Sequence, residues 1–150
     1  FWCQLTDTSG NYLPICASTF DTSQRALLQH VSNGRIYLMD MAYADDDGDL
    51  IQVDIYTPNF DGKTRRGKQM TMLKLIADQQ AGSTIGVRTN DWDYAPQRWG
   101  NFRYLDMSQK DPWLDDCGTF VRRVHNFRHQ CPVRMPRIMA AEMQIDLCTL

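Results

Sequence analysis

Hydrophobic and polar residues alternate along much of this chain. The clearest run has Met139, Ala141, Met143, Ile145 and Leu147 interleaved with Ala140, Glu142, Gln144, Asp146 and Cys148. A period of two sends successive side chains to opposite faces of a strand, so this segment predicts a strand with one buried face. The same pattern covers Arg35 to Met39, Leu50 to Tyr56 (Ile51, Val53 and Ile55 inward), Gln69 to Ala77 and Ile85 to Arg88. Weaker versions surround Trp2, Tyr12, Phe102 and Phe120. Roughly eight to ten short strands at this spacing predict an all-β fold of antiparallel strands, either a partial β-propeller or β-sandwich-like blades.

Turn chemistry falls between the strands, at Ser9-Gly10-Asn11, Ser32-Asn33-Gly34, Asp46-Asp47-Gly48-Asp49 and Asp61-Gly62. Asn33-Gly34 and Asp61-Gly62 tolerate positive φ and suit tight connections. Ser23 to Val31 has a helical option, with Ala26, Leu27 and His30 on one side, in competition with a strand entering the Asn33-Gly34 turn. Lys63 to Lys68, KTRRGK, has no apolar residue and predicts an exposed loop.

The 150 residues suffice for one domain with a real core. We read 1–150 as a single β domain, with roughly 1–60 as a first blade-like part and roughly 61–150 as a second. Hydrophobic and charged shares of 43% and 23% are those of ordinary globular proteins. No run approaches the roughly 18 to 20 apolar residues of a membrane span, and the start FWCQLTDTSG does not read as a secretion signal. Because the first residue is Phe1, a processed product or part of a longer protein is expected. Five cysteines, Cys3, Cys16, Cys117, Cys131 and Cys148, include no C-x-x-C pair and are odd in number. Thiols in a reducing compartment, serving as small hydrophobes, are the expectation.

Net charge is only −2, but Gly118 to Ala141 holds five arginines, two histidines and no acid. Arg122, Arg123, Arg128, Arg134 and Arg137, interleaved with Phe120, His125 and Phe127, are therefore candidate contacts to nucleic acid or to a neighbouring subunit. The acidic run Asp45 to Asp49 has oxygen ligands around a Gly, but lacks the distal glutamate of a calcium loop, so a solvated hairpin turn is expected. His125 and His129, with Cys117 and Cys131, are ligand types zinc accepts, but their flanks read as strand and turn. We expect no metal, no other cofactor and no catalytic constellation: no phosphate loop, G-x-S-x-G elbow or H-E-x-x-H occurs. Thr89 to Trp99 reads as a structural hairpin, with Asp91 serving turn amides and Trp99 packed beneath. Trp92, Tyr94, Trp99 and Trp113 form an alternative glycan-binding surface, though burial in hairpin cores is the expectation for these rings.

Taken in order, these elements resemble the carboxy-terminal, propeller-like part of the packaged-DNA stabilisation and tail-hub proteins of short-tailed phages. Asn33-Gly34-Arg35-Ile36-Tyr37-Leu38-Met39-Asp40 is similar to the family's "G-x-I-Y-x-x-D" strand, and Tyr43-Ala44-Asp45 with Asp47-Gly48-Asp49-Leu50-Ile51 to its "Y-x-D-x-G-x-x-I" turn. Val87-Arg88-Thr89-Asn90-Asp91 through Trp99 resembles the "R-x-S-D-D... W" hairpin, and Phe120 to Val124 the "Y-x-x-R-x-x-W" strand. Asp93 replaces the turn Gly, and two blades cannot close a ring. The resemblance implies a non-enzymatic virion protein of the tail or neck, assembled in the host cytoplasm. Its role would be a nozzle-like ring below the portal that extends or plugs the channel and retains packaged DNA. Implied partners are copies of itself, other tail or portal-proximal proteins, and packaged DNA in the lumen. A carbohydrate- or receptor-binding tail module is the alternative.

Overall fold

A computed structural model describes residues 11–40, 43–46, 48–92, 95 and 97–148. The expected strand around Trp2, together with Cys3, Asp47, Asp93 and Tyr94, lies outside the described residues. The fold is all-β: thirteen strands, paired antiparallel, and no helix among the described residues. No closed propeller forms among the described residues. Two compact units divide the chain, Phe1–Ile51 and Gln52–Leu150. Val53–Tyr56 belongs to the second unit, where it pairs with Asn126 to His129.

In the first unit, β1 (Ile15–Phe20), β2 (Ala26–His30) and β3 (Ile36–Met39) form a three-stranded meander. Residues Ala26 to His30 are strand and not helix, since this segment has cross-strand partners on both sides. Asp21 organises the first turn, where one carboxylate oxygen accepts the amides of Ser23 and Arg25, both at 2.8 Å. Gly34, at φ 67°, makes the second, and Asn33 Oδ1 accepts the Arg35 amide at 2.9 Å. The acidic run forms the small hairpin of β4 (Asp45–Asp46) and β5 (Asp49–Leu50).

The second unit is a sandwich. One sheet has the order β6-β12-β8-β9, built from β6 (Val53–Tyr56), β8 (Thr84–Asn90), β9 (Arg103–Asp106) and β12 (Val124–His129). In the other, β7 (Lys68–Ala77) is central. β13 (Ile138–Leu147) flanks it on one side, with β10 (Trp113–Asp115) and β11 (Thr119–Phe120) paired elsewhere along it. Leu73 and Leu75 by alternation, and Met70 across a register shift at Thr71, turn inward from β7 against Ile85, Val87, Leu105 and Phe127 of the facing sheet. Each such side chain contributes about 1.5–3 kcal/mol of burial free energy.

Two local expectations change. Lys68, read as the end of an exposed loop, is buried as the first residue of β7. Its ammonium donates to the carbonyls of Thr64 (2.8 Å), Arg66 (2.9 Å) and Val121 (2.8 Å), so all three protons are satisfied. On β13, Met139, Met143 and Leu147 are exposed where a buried face was expected, and only Ile138 and Ile145 pack on the core. Met143 and Ala141 do lie on the inward side, opposite Leu73 and Leu75. But β13 is the outermost strand of its sheet, with bulges at Ile138/Ala140 and Gln144/Ile145, and the facing sheet does not cover it. Alternation reports the side; coverage depends on what lies opposite.

Candidate functional site

The five candidate arginines do not form one patch. Arg123, only 2% exposed, enters the sandwich and pairs bidentately with Asp91 (Nε to Oδ1 2.7 Å, Nη2 to Oδ2 2.8 Å). Its remaining nitrogen donates to the Cys117 carbonyl at 2.7 Å, and its guanidinium lies 4.3 Å over the Phe120 ring. A guanidinium so enclosed is not presented to a phosphate or a neighbouring subunit. Asp91 thus holds an arginine 32 positions away, and Asn90 Oδ1, not Asp91, accepts the turn amide of Trp92. Arg122 is half-buried beside it. Arg134 is exposed, and exposed Arg137 pairs with Asp78 at 3.2 Å.

Arg128 joins a different group, on the outer face of β6-β12-β8-β9. It pairs with Asp54 through Nε (2.9 Å) and Nη2 (3.1 Å). Asn126, fully buried, donates to the same carboxylate at 2.9 Å and accepts from Arg88 Nε at 2.7 Å. Burial raises the Asp54 pKa, but hydrogen bonds from Arg128, Asn126 and Gln52 outweigh it and hold the carboxyl below its ordinary value. Arg88 lies between two rings, 4.9 Å from Trp99 and 4.6 Å from Phe102, and Arg128 is 4.8 Å from Phe102. Trp99 meets Tyr56 edge-on at 5.6 Å. It therefore packs on the outer face of the sheet, over an arginine.

Gly86 makes room for this layer. A Cβ there would meet Phe102 at 3.0 Å and Tyr104 at 3.1 Å, so the missing side chain is what lets both rings lie against the strand. Trp92 and Trp113, expected in hairpin cores, are each 54% exposed. Trp92 turns outward, where Arg98 stacks on it at 3.9 Å, and Trp113 lies on the solvent side of β10.

At the core a cavity of about 230 Å³ is lined by Met70, Leu73, Leu114, Arg103, Cys117 and His125, among others. Burial, with Arg123 adding to it and Asp91 opposing, lowers the His125 pKa to about 4, so the ring is neutral near pH 7. Burial raises the Cys117 thiol, with Arg103 and Arg123 opposing, which keeps it protonated at neutral pH. His125 Nε2 is buried without a hydrogen-bond partner, while the Cys117 thiol donates to the Leu114 carbonyl at 3.4 Å. His125 and His129 share the inward face of β12, but four residues of strand separate them by about 13 Å, beyond the span of one zinc ion. His129 bonds instead to Ser83 at 3.1 Å. Cys16, Cys117, Cys131 and Cys148 are free thiols.

Compared with known proteins, the chain matches no family model, and no curated protein is significantly similar to it.

Proposed function

We propose that this chain is a non-enzymatic structural protein of a phage tail or neck, one β module of a ring that extends or plugs the channel below the portal. The supporting observation is the open side of the sandwich at β13. Ten residues long, this strand is paired on one edge only among the described residues. It exposes Met139, Met143 and Leu147, and Ile55 of the edge strand β6 is exposed as well. An exposed apolar edge strand is a liability in a monomer and a natural seam in a ring, where each copy covers the next. The test is mass measurement in solution across protein concentration, with Met143→Lys as the disrupting variant, alongside detection of the chain in purified particles. Concentration-dependent oligomers abolished by the variant, and presence in particles, are expected. A monomer at every concentration that is also absent from particles overturns the proposal.

The exposed rings favour a second reading, a carbohydrate- or receptor-binding tail module. Tyr56, Tyr104, Trp92 and Trp113 are each more than half exposed, and surface aromatics anchor ligands with little loss of conformational freedom. Binding to a glycan array by the intact chain tests it; no signal from any glycan removes it.

A further inference from the structure

We infer that the outer face of β6-β12-β8-β9 is a binding site for an acidic sugar, with Arg88 as the carboxylate receptor and Tyr104 as the platform for the sugar ring. This rests on the carbohydrate-binding reading and names its ligand class.

Strand register builds the site as two cross-strand rows. One runs Tyr56, Asn126, Arg88 and the next Asp54, Arg128, Gly86, Tyr104. Adjacent positions in a row are about 5 Å apart, so the two rows present a surface of sugar dimensions. Arg88 is oriented for a ligand and left with capacity for one. Its Nε is held by the buried Asn126 and its plane by Trp99 and Phe102, while no acceptor among the described residues bonds its two terminal nitrogens. A guanidinium fixed at Nε and held against two rings keeps its terminal edge for bidentate recognition of a carboxylate. Orientation by rings and a buried amide means little side-chain freedom is lost on binding.

Charge decides between acidic ligands. Asp54 is bonded to Arg128, and no carboxylate among the described residues bonds Arg88, so the Arg88 guanidinium is locally uncompensated, Asp106, the other acid of this face, lying two rows away. One carboxylate matches this. A strand of phosphates would also meet Asp54 and Asp106, and Arg134 and Arg137 lie off this sheet, so no run of cations continues the site. Tyr104 is 67% exposed next to Gly86, and the partly positive C–H face of a pyranose suits the negative face of its ring.

The test titrates the intact chain with 3′-sialyllactose, a glucuronate disaccharide, lactose and a single-stranded oligonucleotide, following tryptophan fluorescence. At least one acidic sugar should bind about tenfold or more tightly than lactose. Arg88→Gln should remove that preference, Tyr104→Ala should weaken acidic and neutral sugars alike, and Arg134→Gln should change nothing. Unfolding of each variant is measured in parallel; should Arg88→Gln unfold, Tyr104→Ala and Arg88→Lys carry the test. Equal binding of lactose and the acidic sugars, insensitive to Arg88, overturns the carboxylate site but leaves the carbohydrate-binding reading standing. Binding of no sugar, here or on the array, overturns both. Oligonucleotide binding lost in Arg88→Gln, without sugar binding, overturns the proposal in favour of nucleic acid.

Discussion

Two bidentate arginine–aspartate pairs of nearly equal geometry flank β12, Arg123 with Asp91 and Arg128 with Asp54. The first arginine is enclosed, with a carbonyl, a ring and a methionine sulfur around it. The second stays on an outer face, about a quarter exposed. The difference teaches what burial does to one and the same contact. Inside, every donor must be met, and the arginine is committed to the fold. Outside, water can reach the arginine, while Asp54 stays tied to the buried Asn126 amide, and the guanidinium is free to serve as part of a surface.

The largest expected effect attacks the inner pair. Asp91→Ala leaves a buried guanidinium short of its counter-charge and should cost about 3–5 kcal/mol in urea unfolding. Arg123→Met in the same assay should cost much less, because it removes the charge together with its desolvation penalty. Equal losses would show that the pair, not the unpaired charge, dominates.

Next comes acid. The His125 pKa is about 4 in the fold against an ordinary 6.5, so the unfolded chain binds the extra proton between these values. Its contribution is complete above about pH 6.5 and is lost as pH falls towards 4, on the order of 3 kcal/mol. Denaturation midpoints should fall over that window, and fall less in His125→Phe. Asp54 also has a depressed pKa, but its contribution persists to lower pH and is lost only below the ordinary carboxylate value near 3.8.

On the outer face, Gly86→Ala should cost about 1–3 kcal/mol, since Phe102 and Tyr104 must move off the strand. Asp54→Ala should cost about 1–3 kcal/mol, since the buried Asn126 amide also loses its acceptor, and the ionic part of the loss should shrink at high salt, unlike that of Asp91→Ala. A salt-insensitive loss of several kcal/mol would erase the contrast between the two pairs.

Much of the fold was legible. Alternation located β7, β8 and β13 to within a few residues, and Asn33-Gly34 marked its turn, because these signals are local. The candidate site was not. Neighbouring arginines 122 and 123 read alike, and what commits Arg123 to the interior is Asp91, 32 positions away, together with the bridge of its backbone to Phe60. The Arg88, Phe102 and Arg128 group likewise depends on register between β12 and β8. Gly86 in mid-strand was the one sequence signal available, since an interior glycine marks close approach by another group.

Strand order also sets a timetable. In both sheets of the second unit, β8 and β9 are the one pair adjacent in sequence as well as in space, among the described residues. Strand β6 must wait for β12, and β7 for β13, each some 70 residues downstream. Pairings so distant in sequence close slowly, on a scale of about milliseconds to seconds. Until β13 arrives, the apolar ribbon of β7 has no long partner and is open to capture by other nascent chains. Translation speed and chaperone supply should therefore govern the yield of this protein more than its final stability does.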